Sequence, residues 1–293
     1  MMKNSYVLVT AARNEEAYIE KTIQSVVNQT ILPKRWVIVS DGSTDRTDEI
    51  VSQYAANYGF IKLVHAKPQG KRNYASKVNA IKVGFRLLKS VEYDFIGNLD
   101  ADVSFGPDNY ECILRKFEKN ARLGIAGGII FDFYDGGFQR QFASVNSVGG
   151  PIQLFRLQCY QDIGGYIPLK KGGVDAIAEV MARMNGWEVR SFPEIRVMHH
   201  RRTGTEKGHI LSARFRQGVM EYSHGNHPLF EMAKCVSRIR EKPYVFGSLF
   251  RLLGYNWAFL RRDKREVADE VVKFLRREQI QRLFAVLPKS KSR

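Results

Sequence analysis

Apolar residues in the first hundred positions fall in short runs, and each run stops at a polar cluster. "SYVLVTAA" (5–12) is a continuous β-rich run, the pattern of a strand buried on both faces. "NEEAYIEKTIQSVVNQT" (14–30) then sets Ile19, Ile23, Val26 and Val27 on one helical face. The alternation repeats with a strand in "RWVIVSDGSTD" (35–45) and a helix with Ser43 or Thr44 as its N-cap, ended by Gly59. A third strand follows over 60–66, a third helix over 73–90, and a fourth strand in "YDFIGNLDADV" (93–103). This alternation predicts a parallel sheet covered on both faces. Ligands in such sheets bind outside the carboxyl ends of the strands. "TAARN", "SDGSTD" and "LDADV" all fall at such ends, so one shared site is expected.

Past residue 103 the pattern is less regular. "LGIAGGIIFDFY" (123–134) reads as a strand running into a glycine-interrupted loop. "GGPIQLFRLQCYQDIGGY" (149–166) reads as a strand, a short helix and a Gly-Gly turn. "GGVDAIAEVMARMNGW" (172–187) is a helix with an acid in its first turn and Gly186 at its end. "EVRSFPEIRVMHHRRTGT" (188–205) is a strand leading into a basic loop. From 206 onward the pattern is helical. "YVFGSLFRLLGYNWAFLRR" (244–262) is rich in aromatics and Leu and closed by Arg261 and Arg262, and 263–287 has helical apolar spacing with a charged opposite face. The expected division is 1–205 for the α/β domain and 206–293 for a basic helical region.

Charge sharpens that boundary. Of the net +16, residues 201–293 carry +12 and residues 1–200 only +4. Such a basic region attracts nucleic acid, anionic lipid or a diphosphate, or is a solvated basic face. No recognised nucleic-acid-binding motif accompanies the charge. Two readings stand for the aromatic, Leu-rich stretch: an ordinary packed helix pair, or an interfacial helix lying on an anionic membrane. Three separated cysteines, Cys112, Cys159 and Cys235, without a CxxC pair, fit reduced thiols. The N-terminal apolar stretch is too short for a signal peptide, and no window of about 18 apolar residues predicts a spanning helix. The expected location is cytoplasmic, with peripheral contact on the cytoplasmic membrane face as the alternative.

"NLDADV" (98–103) aims Asp100 and Asp102 at one place. Carboxylates brought together without a cation repel and raise one another's pKa. A hard divalent ion held by one or two carboxylates plus phosphate oxygens removes that problem, as is usual for Mg²⁺ or Mn²⁺.

"TAARNEEAYIEKTIQSVVNQT", "WVIVSDGSTDRTDEIV", "GKRNYASKVNAI" and "NLDADV", in this order and spacing, resemble the nucleotide-sugar half of inverting GT-A glycosyltransferases of family 2. The resemblance covers about residues 5–205, most strongly 5–103. It implies a GT-A α/β fold, with 1–103 as the nucleotide-binding half and 104–205 as the acceptor half. It further implies a nucleoside-diphosphate sugar donor and a divalent cofactor, Mn²⁺ or Mg²⁺. The expected product is a glycan or glycolipid of the cell envelope, built on a glycan or lipid-linked acceptor. Residue by residue, Asp41 matches the carboxylate that holds the base. Ala11, Ala12, Arg13 and Glu15 match the loop flanking base and ribose. Asp100 matches the carboxylate near ribose and metal, and Asp102 the direct metal ligand. Lys71 and Arg72 lie in a stretch that often approaches the nucleotide.

A sugar hydroxyl needs a base to attack at neutral pH. By the resemblance, "GGYIPLKKGGVDAIAEVMARMNGW" supplies it, with Asp175 in the place of the base. The family often has two adjacent acids where this chain has "VDA", which leaves Glu179, one turn later, as the other candidate. In "VMHHRRTGT", His199 or His200 matches a third metal ligand, and alternation turns only one of them to the site. Arg201 and Arg202 suit a diphosphate. Gly149, Gly150, Gly164 and Gly165 permit tight turns near an acceptor. A sugar nucleotidyltransferase would carry a Gly-rich basic signature after the first strand and a dinucleotide oxidoreductase a GxGxxG; "TAARNEEAYIE" has neither. A binding protein that keeps the fold without turnover is the remaining alternative.

Overall fold

The computed structural model describes residues 4–66, 74–141, 143–201, 209–240 and 242–286. The chain forms two compact units, one of residues 1–168 with 174–202 and one of 169–173 with 203–293.

In the first unit, Tyr6–Ala12 (β1), Arg35–Ser40 (β2), Ile61–His65 (β3) and Phe95–Leu99 (β4) lie parallel in the order β3-β2-β1-β4. Ile19–Val27 (α1), Thr47–Asn57 (α2) and Tyr74–Arg86 (α3) connect them. The period-two geometry of a strand explains the two apolar layers. Tyr6, Leu8, Trp36 and Ile38 pack with Ile19, Ile23 and Val51, whereas Val7, Val9, Val37 and Val39 pack with Val78 and Ile81. The strand-helix alternation expected from the sequence is therefore present, with both faces covered. Two local details differ. α2 begins at Thr47, not after Ser43 or Thr44: Asp45 accepts from the Thr47 N–H at 3.0 Å, while the Thr44 N–H donates to Asn14 at 2.8 Å. The run 93–103 is not one strand. It breaks after Leu99, and the two aspartates occupy the turn before Val103–Phe105 (β5).

The rest of the unit comprises Asn109–Lys119 (α4), Leu123–Tyr134 (β6), Gly137–Arg140 (β7), Ile152–Arg156 (β8), Leu157–Asp162 (α5), Val174–Met184 (α6) and Glu188–His199 (β9). The sheet continues β4-β8-β6-β9-β5, with β7 paired to β6. β8 runs antiparallel to β4 and β6, and β5 antiparallel to β9, so the sheet as a whole is mixed. Two local reversals are responsible: the turn at 100–102 reverses the chain between β4 and β5, and Asp135 and Gly136, both with positive φ, 52° and 78°, make a two-residue hairpin turn that reverses the chain after β6. Nor do glycines interrupt β6. A Cβ on Gly127 would sit 2.5 Å from the Ile152 carbonyl oxygen, so glycine there lets the neighbouring strand approach.

The second unit holds Ile210–Ser223 (α7), Pro228–Ser237 (α8), Val245–Leu260 (α9) and Asp269–Val286 (α10). A Cβ on Gly218 would lie 1.9 Å from the Arg251 carbonyl oxygen, and one on Gly254 2.0 Å from that of Phe215. α7 and α9 thus meet backbone to backbone. Among the described residues, no helix is long and apolar enough to cross a membrane.

Candidate active site

The three polar clusters meet at the carboxyl ends of the adjacent strands β2, β1 and β4. The loops after β1 and β2 are laced together. Ala12 accepts the Asp41 N–H at 2.9 Å, Glu15 N–H donates to the Thr47 hydroxyl at 2.7 Å, and Glu16 N–H to Asp45 at 3.1 Å. Arg13 stands 3.8 Å from the Asp41 carboxylate. Ala11 and Ala12 end β1 with small side chains beside Val39 and Ser40.

Both acids of "NLDADV" are faced by cationic side chains of the chain itself. Lys77 Nζ lies 2.7 Å from Asp100 Oδ1. Burial alone would lower the lysine's pKa, but Asp100, then Asp102 and Asp175, outweigh it and hold the ammonium charged. Asp102 Oδ2 accepts from Arg201 Nε at 2.7 Å and faces His199 Nε2 at 3.2 Å. Burial would raise the Asp102 carboxyl, yet His199 and Arg201 together carry it well below the usual carboxylate range. Arg201 also reaches Glu15 at 2.5 Å, so one guanidinium joins the β1 loop to the acidic turn. His199 Nδ1 is 2.7 Å from Asp132 Oδ1. Burial would lower its pKa, but Asp102 and Asp132 raise it to about 10.

His200 corrects one of the metal candidates. The chain turns it away from the acids: its Nε2 lies 2.9 Å from Ser104 Oγ, and its ring stacks on Tyr18 and meets Phe138 edge-on. His199 is the histidine that faces Asp102. Lys71, Arg72 and Arg202 lie outside the described residues.

Among the described residues, no group of three or more His, Cys, Asp or Glu forms a ready-made metal cage. Asp102 and His199 are nonetheless a donor pair of suitable chemistry: a carboxylate, and an imidazole whose other nitrogen is engaged by Asp132. A divalent ion would replace the proton on Nε2, and phosphate oxygens would supply the remaining positions. The residues fit such an ion when substrate brings the rest of its shell.

The two acids of α6 do different things. Asp175 is partly exposed, and its Oδ2 accepts the Gly150 N–H at 3.1 Å. Gly150 in turn accepts from Asn98 at 2.9 Å, and Asn98 is 3.4 Å from Asp100, so a short polar chain ties Asp175 to the acidic turn. No second hydrogen bond to Asp175 occurs among the described residues. Glu179 is 3% exposed, and its Oε1 accepts from Val148 N–H at 2.6 Å and Ser147 Oγ at 3.2 Å. It is a clamp on the 147–150 loop.

Burial pushes the Glu179 carboxyl up to about 7 from an ordinary 4.5, against the lowering effect of Val148 N–H and Arg183. Between those values the folded state keeps a proton that the unfolded state has lost. The resulting stabilisation is full below pH 4.5 and is lost as pH rises through 7. Glu179→Gln cannot ionise, so its stability relative to the parent should rise by roughly 3 kcal/mol between pH 5 and pH 8. Denaturation curves at the two pH values check this, and parallel profiles for both proteins would refute it.

Lys77 and Asp132 were not legible as site residues. Lys77 lies inside α3, in the stretch "GKRNYASKVNAI", where the resemblance marks only Lys71 and Arg72. The one signal for Asp132 is a lone carboxylate in the apolar run "GGIIFDFY".

The family model for glycosyl transferase family 2 matches residues 7–167, more than half of the 293-residue chain. The chain belongs to glycosyl transferase family 2. It is 26% identical over 173 residues to a poly-beta-1,6-N-acetyl-D-glucosamine synthase of Staphylococcus epidermidis, a match covering 53% of this chain and 40% of that one. It is 31% identical over 112 residues to a chondroitin synthase of Escherichia coli, covering 38% and 15% respectively. The match thus spans less than half the length of these relatives. Solved structures with the same fold include GalNAc-T7 with UDP, GalNAc and Mn²⁺ (TM-score 0.60, 14% identity, 97% of this chain and 58% of that one). Another is a mannosyltransferase of Pyrobaculum calidifontis with GDP-Man and Mn²⁺ (TM-score 0.55, 14% identity, 96% and 75%). A third is S. aureus TarS with UDP-GlcNAc (TM-score 0.53, 16% identity, 89% and 74%). The mixed α/β sheet of this family 2 chain is thus a GT-A fold.

Proposed function

We propose that this family 2 protein is a metal-dependent, inverting glycosyltransferase. It moves a sugar from a nucleoside-diphosphate donor to a hydroxyl of a glycan or lipid-linked acceptor, in polysaccharide or glycolipid synthesis. The observation that carries the reading is the polar chain Asp175–Gly150–Asn98–Asp100. It sets a carboxylate with one oxygen secured and the other open beside the turn that gathers Asp100 and Asp102. The named relatives, polysaccharide synthases, and the nucleotide-sugar complexes of the structural neighbours support it.

In this reading Asp41 and Arg13 receive the base, with Ala11, Ala12 and Glu15 shaping the loop around base and ribose. Lys71, Arg72 and Arg202 join that set as further contacts to the donor. Asp102 and His199 would hold Mn²⁺ or Mg²⁺, with Asp100 beside them, and the bound ion would neutralise charge on the diphosphate. Lys77 and Arg201 carry fixed positive charge to the same place. Asp175 takes the proton of the acceptor hydroxyl as its oxygen bonds to the anomeric carbon. The bond from that carbon to the diphosphate oxygen breaks, its electron pair leaves with the nucleoside diphosphate, and attack from the opposite face inverts the centre. The proton on Asp175 then passes to water.

A donor panel tests this. UDP-, GDP- and dTDP-sugars are presented with Mn²⁺, Mg²⁺ or EDTA, and melting temperature and slow donor hydrolysis are recorded. The expected result is a metal-dependent upward shift with one nucleotide class, absent in Asp102→Ala. No shift with any nucleotide would overturn the donor-site reading.

A further inference from the structure

We propose that the face formed by α8 and α9 docks flat on an anionic membrane surface. The motive is where the apolar side chains are left uncovered. Of the 18 large apolar side chains exposed among the described residues, 13 belong to the second unit, about a third of the chain. Exposed apolar residues scattered singly need no explanation; a contiguous set does.

On α9 the set is ordered. Gly247, Arg251, Gly254, Tyr255 and Ala258 are buried, on the side that meets α7. Phe246, Leu249, Leu253, Trp257 and Leu260, spaced three, four, four and three residues apart, are all exposed, Phe246 at 61% and Leu260 at 75%. That spacing is one helical stripe. α8 repeats it: Glu231 and Cys235 are buried, whereas Leu229, Met232 and Val236 are exposed. Ser248 Oγ donates to the Cys235 carbonyl at 2.8 Å, which holds the end of α8 beside the start of α9. The two stripes therefore lie on adjoining helices.

Charge decides the occupant. Residues 228–266 contain nine Lys/Arg and four acids; one of those acids, Glu231, is buried, and Asp263 pairs with Arg261 at 3.6 Å. Arg240, Arg261, Arg262, Lys264 and Arg265 are exposed at the two ends of the α9 stripe, and Arg261 lies over the Trp257 ring at 5.9 Å. A second copy of the chain would meet this face with the same basic rim and be repelled. An anionic lipid surface attracts each such residue by about 1 kcal/mol. α9 has 16 residues and is about 24 Å long, short of the roughly 30 Å hydrocarbon core. Its apolar face therefore lies in the interface and does not span it.

Vesicle sedimentation of the full chain tests this, and needs neither donor nor acceptor, so it fails or succeeds independently of the transferase reading. The vesicles are phosphatidylcholine alone, and equal parts phosphatidylcholine and phosphatidylglycerol. Binding to the anionic vesicles should be at least about tenfold tighter than to the neutral ones and weaken with added salt. Trp257 emission should shift to the blue on binding. Leu253→Glu/Trp257→Glu should abolish sedimentation with the melting temperature kept, and Arg261→Glu/Arg262→Glu should remove the preference for anionic lipid. The proposal is overturned by no binding to either vesicle, by equal binding to both, or by full binding of the Leu253→Glu/Trp257→Glu variant. A parent dimer in sedimentation velocity that the same variant dissociates would also overturn it, and would assign the face to a second copy.

Discussion

Asp175→Asn is expected to lower kcat by about 10²–10⁴-fold while leaving nucleotide affinity unchanged. The amide oxygen can still accept the Gly150 N–H that Asp175 holds at 3.1 Å, so the 147–150 loop keeps its place. What the variant loses is the ability to take a proton from the acceptor hydroxyl. The loss should therefore fall on kcat, with the dissociation constant of the free nucleoside diphosphate unmoved. Glu179→Gln is the informative contrast. Its carboxyl faces Val148 and Ser147 in the interior, so this variant should keep most of its kcat and differ in stability. Steady-state kinetics with the donor identified by the panel, together with calorimetric titration of the nucleotide, separates the two. A kcat for Asp175→Asn within about threefold of the parent would place the base elsewhere.

The strand ends were legible because two independent patterns agree there. Alternating apolar runs fix where strands stop, and a parallel sheet puts its ligands at those stops, which marks Asp41, Asp100 and Asp102. What answers their charge was not legible. Lys77 reaches Asp100 from the first turn of α3, and Arg201 lies 186 residues from Glu15 and 99 from Asp102. Such pairings depend on crossings that local patterning does not encode. The choice between His199 and His200 needed the register of β9 against β6, which sets His199 opposite Asp132. The antiparallel half of the sheet was obscured because its reversals rest on two short turns, one inside the run 93–103 and one at Asp135 and Gly136, beside other glycines with different roles. α8 carried a plain N-terminal signal in His227–Pro228, submerged in a region that reads as uniformly helical.

The second unit carries the other large effect. Arg251 sits in the middle of α9 with its side chain 3% exposed, and its Nε lies 2.7 Å from Glu221 and 2.9 Å from Glu231. Lys234 reaches Glu221 at 2.5 Å, so two cations face two buried carboxylates. Burial would raise both acids. For Glu221, Lys234 and Arg251 outweigh it and hold the carboxyl well below its usual range. For Glu231, burial and then the neighbouring Glu221 push it up to about 7. Glu221 thus adds stability that is lost as pH falls below its unfolded value, and Glu231 adds stability that is lost as pH rises through 7. Arg251→Met removes the shared cation and leaves both carboxylates in the same interior. It should destabilise the unit by about 3–5 kcal/mol. Its stability should also fall more steeply than the parent's as pH rises, because both acids then favour a proton in the folded state. Hydrogen exchange of the α7 and α9 amides at acidic and alkaline pH reads this locally. Adding Glu221→Gln and Glu231→Gln should restore part of the protection, since no buried carboxylate is then left without Arg251, while Lys234, its side chain 22% exposed, can turn its ammonium to water. Unchanged exchange in Arg251→Met would mean that Lys234 alone carries the pair.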